Sequence, residues 1–480
     1  MAVEGSVPSE RRPAPQHLYV HVPFCREKCD YCDFFSLPLA PGVAGLAAAG
    51  RPAGADAGAV PASSGADAAV ADVDLRDGAV DLLDRFVDAL LHEWEVERRA
   101  GVVRRLHTVY LGGGTPSLLG PARLERIVAA LQQYLTPAAE VSVEANPEDV
   151  DEKLARWAAQ RGARVSLGVQ SFDPMLRRTV GRRAAGDPAA AYRRLRRAGV
   201  TNVGMDLMFG LPGQTMADIE AELATVATLR PDHVSWYELE VTVGTPLASR
   251  LGAGRPPASV ASSCGLETAA ASARPDVDQR AEMYRAVVRG LERLGLHWYE
   301  VSNFSRPGRR CRHNMAVWRG RDYLGLGPGS VSTLGGLRRR DVPDVSAYFA
   351  ALVGGGRAAG DGPVAERLSS AADLSGTPPA ASRAWARRRD APPREIEWLT
   401  PRDRLRERLY LAARIGLPLP LDEVSPVLDM AEVERLSSAG FVTVAAPAAG
   451  GTLRVTRKGR YVADDVCVRL FRASHVEGTA

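Results

Sequence analysis

Residues 106–145 read LHTVYLGGGTPSLLGPARLERIVAALQQYLTPAAEVSVEA. The segment opens on a β-branched and aromatic run, LHTVYL (106–111), and breaks at Gly112, Gly113 and Gly114. ARLERIVAALQQYL then carries apolar residues at helical spacing, and EVSVEA (140–145) alternates as a strand. This is one strand–helix–strand unit, and it recurs. RVSLGV (164–169), NVGMDLMF (202–209), HVSWYELE (233–240) and LHWYEVS (296–302) read as further strands, most of them separated by amphipathic stretches such as AAYRRLRRAG. Upstream, HLYVHV (17–22) reads as a strand that stops at Pro23. DLLDRFVDALLHEWEVERR sets Leu82, Phe86, Leu90 and Trp94 on one helix face. Six or seven such units predict an α/β fold with a parallel sheet rolled into a barrel or partial barrel. Ligands of these folds sit at the C-terminal strand ends, which here carry Gly112, Glu144, Gln170, Asp206 and Glu238.

The rest of the chain divides by composition. Residues 1–16 read as a disordered N-terminus, and 17–350 as the barrel domain. Of the 40 residues in 40–79, 22 are Ala or Gly and none is aromatic. That stretch cannot bury enough apolar surface to offset its ordering entropy, so it reads as a disordered insertion. A second low-complexity insertion is expected at 252–278, and a linker at 354–395. The block 396–470 reads as a small helical, winged-helix-like domain: LTPRDRLRERLYLAARIG and MAEVERLSSAG have helical period, and TLRVTRKGRYVADDV suggests a hairpin running into a helix. Packing or lid duty suits this block, because its charge is too balanced for DNA binding.

Composition excludes several classes. The 480 residues are 45% hydrophobic, and 61 basic against 57 acidic side chains leave a net charge of +4, so no nucleic-acid footprint is expected. No run of 18 apolar residues exists, so no integral membrane segment is expected. MAVEGSVPSERRPAP has no apolar h-region, and a cytoplasmic location is expected.

The cysteines are more specific. Cys25, Cys29 and Cys32 form C-x3-C-x2-C within eight residues, while Cys264, Cys311 and Cys467 are scattered. A disulfide framework does not have that spacing; a metal or cluster site does. Three thiolates from one loop can each take one iron of a cubane and leave the fourth iron open. The alternative is a zinc site with His21, Cys311 or His313 as fourth ligand, although no second C-x2-C pair is present.

The segment LYVHVPFCREKCDYCDF resembles the opening of radical S-adenosylmethionine (SAM) proteins, and specifically their HemN/HemW branch of oxygen-independent coproporphyrinogen III dehydrogenases and heme chaperones. The resemblance continues through YLGGGTPSLL, VSVEANPE, LGVQSFDPMLRRTVGR, GMDLMFGLPGQT, YEVSNFSRPG and CRHNMAVWRGRDYLGLG. It covers 17–36, 80–251, 279–350 and 396–470. It implies a [4Fe-4S] cluster on Cys25, Cys29 and Cys32, with SAM on the open iron and an electron donor for the cluster. It also implies a radical SAM partial (β/α) barrel with a C-terminal domain of the HemN type. The family's SAM-binding positions match Tyr19, Tyr31, Gly113, Gly114, Thr115, Glu144, Gln170, Arg182 and Asp206. The glycines would let backbone approach the methionine end of SAM, and Arg182 could pair with its carboxylate.

Two positions bear on the branch. The dehydrogenases continue C-x3-C-x2-C-x-C, and here that last position is Phe34, as in the heme chaperones. The chaperones also carry H-N-x-x-Y-W, associated with heme binding. This chain keeps His313, Asn314 and Trp318 but has Val317 for the tyrosine, and GLGPGSVS puts Val331 where relatives have histidine. His313 is expected near the barrel mouth, either as a heme ligand, with Cys311 as a second candidate and Asn314 and Trp318 beside it, or as a hydrogen-bonded structural histidine. The resemblance implies a heme chaperone that hands heme to acceptor proteins. The alternatives are a coproporphyrinogen III dehydrogenase, or a radical SAM methyltransferase or tailoring enzyme. No catalytic residue is assigned.

Overall fold

The computed structural model describes residues 14–39, 79–183, 186–252, 273–353, 365–368, 392–445 and 451–471. The expected insertion at 40–79, apart from Ala79, the core of that at 252–278 and most of the N-terminus lie outside these residues.

The seven strands expected from the sequence, with two short ones that it does not indicate (Asn303–Ser305 and Leu324–Leu326), form one nine-stranded sheet. In chain order they are β1 (His17–Val22), β2 (Leu106–Gly113), β3 (Leu135–Ala145), β4 (Arg164–Gln170), β5 (Val203–Phe209), β6 (His233–Glu238), β7 (His297–Glu300), β8 (Asn303–Ser305) and β9 (Leu324–Leu326). Their order in the sheet is β9-β1-β2-β3-β4-β5-β6-β8-β7. From β9 to β6 every pairing is parallel; β8 runs antiparallel to β6 and to β7. The edge strands β9 and β7 do not pair with each other, so the barrel is open.

Helices cover the outer face, because alternate residues on each strand are apolar and need a partner surface. Val20, Leu111, Val143, Leu167, Met205 and Val234 share one core with α1 (Ala79–Arg99), α2 (Gly120–Leu131) and α3 (Glu152–Arg161). The inner positions are polar. His17, Tyr19 and His21 on β1, Thr108 and Tyr110 on β2, Glu140 and Glu144 on β3, Arg164 on β4, Asp206 on β5 and His233 on β6 have the opposite parity. The sheet curls far enough for one short segment to bridge it. Cys311 N donates to Tyr299 Oη of β7 at 3.3 Å, and Arg312 N to Glu140 of β3 at 2.9 Å. The inner face is therefore lined by polar, mutually hydrogen-bonded side chains.

The expected linker at 354–395 is corrected. Ala365–Leu368 and Arg394–Trp398 are strands of a second, four-stranded sheet, parallel to each other, with Val331–Leu334 and Leu337–Asp341 completing it. Buried ion pairs (Arg394 to Glu97 at 2.9 Å and to Asp341 at 3.1 Å) tie this sheet to α1, a long-range link that local composition does not reveal.

The C-terminal block has its own core, including Leu409, Val424, Leu436, Leu453 and Leu470. Its order is helix Pro401–Ile415, strand Leu419–Pro420, helices Leu421–Val424 and Met430–Ser438, then the hairpin Val442–Ala445 and Thr452–Val455. That is a winged-helix arrangement, with its first helix started by a capping box of Thr400 and Asp403. It packs on the barrel through Arg414, which donates to buried Glu300 at 2.7 Å, and through Arg460, 4.1 Å above the Trp298 ring. Among the described residues, no helix is long and apolar enough to cross a membrane.

Candidate functional site

The three cysteines follow β1 in one loop, all partly exposed and none in a disulfide. The loop is held from both sides. Asp30 N donates to Val180 O at 3.0 Å, Leu247 N donates to Asp30 O at 2.8 Å, and the Asp30 carboxylate pairs with Arg250 at 3.1 Å. Phe24–Cys25 pairs in parallel with Leu37–Pro38, which closes the base of the loop. Thr115 Oγ1 donates to Cys25 Sγ at 3.4 Å, and Arg182 Nη1 to Cys29 Sγ at 3.8 Å. Two donors thus meet two of the three clustered thiols, while burial pushes the Cys25 thiol up and the Cys32 thiol up to about 11, so iron binding must release their protons.

Among the described residues, no three His, Cys, Asp or Glu side chains converge to hold a single ion. The three thiols can serve a tetrahedral zinc with a fourth ligand or a cubane with one iron each, so the fourth-ligand candidates decide between them. The zinc alternatives fail by position. His21 Nε2 is 2.9 Å from Phe35 O, and Cys311 and His313 lie at the other end of the strands. The loop fits a cluster.

The residues matched to SAM positions mostly gather above this loop's base. Gly113 has φ +106, and a Cβ there would lie 2.5 Å from the His21 ring; one on Gly114 would lie 2.6 Å from Phe24 O. These glycines thus press the end of β2 against the cluster loop, a packing role added to the expected backbone approach. Glu144 accepts from Tyr110 Oη at 2.7 Å and Gly113 N at 3.2 Å, and burial pushes its carboxyl up to about 7. Asp206 accepts from Ser166 Oγ at 3.1 Å, and burial raises it too. Gln170 ends β4 at φ +64, a strained backbone for a residue with a side chain. Arg182 is already engaged: it donates to Gly168 O at 3.0 Å and to Asn146 Oδ1 as well as to Cys29. Tyr31 packs against an apolar cluster that includes Leu176, Leu211 and Leu247, and Tyr19 stacks on Tyr110 with 6.3 Å between ring centroids.

Sequence reasoning missed Asn146, which joins Arg182 to Thr115 (Nδ2 to Oγ1, 3.1 Å), and Tyr110, the donor to Glu144. Both lie in motifs quoted above. Their inward parity was the available signal.

The expected position of the heme ligands at the barrel mouth is overturned. His313 Nδ1 is 3.0 Å from Thr108 Oγ1, which is itself 2.9 Å from His17 Nδ1. Thr108 lies five residues before Gly113 on β2, roughly 16 Å below the rim for an extended strand. Cys311 is 0% and His313 4% exposed, and Trp318 lies under the Arg414 guanidinium at 4.7 Å. Asn314 is half-buried in the same helix, Arg312–Trp318. A macrocycle needs an open face beside its axial ligand, and neither Cys311 nor His313 offers one. These residues do not fit a heme where they stand.

His313 instead contributes to stability. Burial, with a smaller effect of His17, lowers its pKa from 6.5 to about 3, so the folded protein holds it neutral. A depressed histidine adds stability that is complete above the unfolded value and is lost as pH falls from about 6.5 toward 3. The advantage of wild type over His313→Gln in urea unfolding should therefore shrink by about 1.4 kcal/mol between about pH 7.5 and about pH 5.5. An unchanged difference would mean that His313 is not held neutral.

Comparison with known proteins agrees with this geometry. Residues 19–226 match the Radical SAM superfamily. The chain is 36% identical over 344 residues to the heme chaperone HemW of Mycobacterium tuberculosis, covering 71% of this chain and 75% of that protein. It is 29% identical over 338 residues to the heme chaperone HemW of Bacillus subtilis, covering 69% and 74%. The structure of the coproporphyrinogen III oxidase HemN of Escherichia coli superposes with a TM-score of 0.64 at 20% identity, over 95% of this chain and 90% of that one. The chain belongs to the radical SAM family, in the HemW group of its HemN/HemW branch.

Proposed function

We propose that this protein is a heme chaperone, which binds heme and delivers it to acceptor proteins while carrying a radical SAM [4Fe-4S] site. The observation that carries this reading is the similarity to proteins named heme chaperone HemW along about seven-tenths of the chain. Phe34 supports it: the side chain in the place of the dehydrogenases' extra cysteine is an exposed phenyl ring. Cys25, Cys29 and Cys32 would hold the cluster, which when reduced supplies an electron for SAM cleavage. Glu144 and Asp206 present acceptors for SAM's polar groups, Gln170 and Arg182 border the same rim, and Tyr31 stands between two of the cluster ligands. Residues 17–350 would form the radical SAM domain and 396–470 the HemN-type domain. An electron donor and a heme acceptor are the implied partners. Unbridged thiols suit a reducing compartment, the cytoplasm.

Heme would dock outside the His313 pocket. The test is a heme titration of purified wild type and His313→Ala, with an anaerobic assay containing coproporphyrinogen III, SAM and a strong reductant. About one heme should bind per wild-type chain, with an unchanged Soret band in His313→Ala, and no protoporphyrinogen IX should form. Multiple-turnover decarboxylation would overturn the chaperone reading in favour of the dehydrogenase. The polar barrel interior favours a second reading, a tailoring enzyme on another substrate. Absence of saturable heme binding would move that reading ahead.

A further inference from the structure

Arg164 opens β4 on the inner face of the barrel, 2% exposed, and its Nε and Nη1 have no hydrogen-bond partner. His233 opens β6, is 0% exposed, and has no partner on Nδ1. Gly204 lies on β5, the strand between them. A Cβ on Gly204 would sit 3.1 Å from Arg164 Nη2 and 3.3 Å from His233 Nδ1, so both groups lie over the same bare stretch of backbone.

The hydrogen bonds around His233 fix its tautomer. Cys311 N–H donates to Tyr299 Oη at 3.3 Å, and Tyr299 Oη lies 2.7 Å from His233 Nε2. Burial keeps the phenol protonated and the imidazole neutral. The phenol O–H therefore donates to Nε2, and the ring proton sits on Nδ1. Arg164 Nε and Nη1 and His233 Nδ1 are then three N–H donors with no bonded acceptor, on two side chains that both reach Gly204, one of them positively charged.

Nearby carboxyls do not fill that role. Glu140 is occupied by the backbone N–H groups of Arg312 and His313. Asp206 accepts from Ser166, and Glu144 from Tyr110 and Gly113. They attract Arg164 across space without hydrogen-bonding to it. A buried guanidinium with unpaired N–H groups is costly to a fold, and persists where it has a use.

We propose that Arg164 and His233 form a binding site for the carboxylate of a molecule that enters the barrel beneath the SAM rim. Asp206 is two residues beyond Gly204 on the same face, roughly 7 Å higher for an extended strand. A ligand anchored by its carboxylate at Arg164 would thus extend toward the rim. Its use in radical chemistry rests on the SAM reading above; the binding itself does not.

The test uses the full chain with its cluster reconstituted anaerobically, melted in sodium acetate and in sodium chloride at matched ionic strength. Acetate should raise the wild-type Tm in a saturable way by about 2 °C beyond chloride. Arg164→Gln should abolish that increment without lowering the Tm in chloride, since it removes an unpaired buried charge. Gly204→Ala keeps both donors but sets a methyl against them, and should weaken the acetate half-saturation several-fold; it decides the matter if Arg164→Gln does not fold. Equal melting of wild type in acetate and chloride, or an acetate response that survives Arg164→Gln, would show that the space holds only water. The SAM-induced change in the EPR signal of the reduced cluster, recorded on the same proteins, reports separately on the SAM site.

Discussion

Cys29→Ala is expected to abolish the iron–sulfur cluster while leaving the apoprotein folded. Wild type should carry about four irons and four sulfides per chain after anaerobic reconstitution, and the variant should carry no intact cluster. The fold places few demands on the Cys29 side chain: it is partly exposed, and its recorded contact is the long 3.8 Å hydrogen bond from Arg182. Its loop is anchored chiefly through Asp30, so the apoprotein Tm should stay within about 1–2 °C of wild-type apoprotein, as for a surface substitution. Addition of SAM should change the EPR spectrum of the reduced wild-type cluster, because the loop supplies three ligands for four irons. Stoichiometric zinc without inorganic sulfide, or full iron retention in Cys29→Ala, would sink this assignment.

Arg339→Met is the second large effect, and it acts on stability. Arg339 is 0% exposed, donates to Glu97 at 2.6 Å and to Gly325 O at 3.2 Å, and lies 3.6 Å from Asp341. Arg394 holds the same two carboxylates from the neighbouring strand. Two arginines thus balance Glu97 and Asp341. Burial keeps the adjacent Glu93 largely protonated, while its Oε2 accepts from Gly327 N at 2.9 Å and Tyr348 Oη at 2.7 Å. Removing one cation leaves two buried carboxylates on a single arginine, a change worth about 3–5 kcal/mol. Urea unfolding of Arg339→Met should show a loss of that size, and Arg339→Met with Glu97→Met should lose less than the sum of the two single changes. A loss under about 1 kcal/mol would mean that solvent reaches the network. A Cβ on Gly327 would lie 2.4 Å from His21 O, so the glycine run held by this network abuts the end of β1 that feeds the cluster loop. Cluster loading should therefore fall along with stability.

Much of this architecture was legible along the chain because its signals are local. LHTVYL, RVSLGV and NVGMDLMF alternate with amphipathic stretches, and each such run became a strand of the large sheet. The cysteine spacing needed no tertiary information, since eight residues of loop bring three thiols together whatever lies around them. The order of elements after residue 396 was readable for the same reason. The polar parity of Thr108, Glu140 and Arg164 is visible along the chain as well, below the strand ends where ligands are expected.

What the sequence could not determine is where distant segments meet. His313 and Trp318 have the composition of a heme motif, yet the chain carries them to the base of the strands and seals them with Thr108 and Arg414, partners about 205 and 96 residues away. Strand 365–368 is too short to stand out in a weak segment, and it forms because Arg394–Trp398 offers it an edge. The unpaired donors of Arg164 and His233 belong to two strands with a third, carrying Gly204, between them, and no spacing rule connects the two residues. The sequence by itself determined the βα pattern and the thiol loop, because periodicity and short-loop geometry act within a few residues. Only the tertiary structure decided the fate of His313, the second sheet and the floor of the barrel, because burial and hydrogen-bond partnership are properties of the assembled chain.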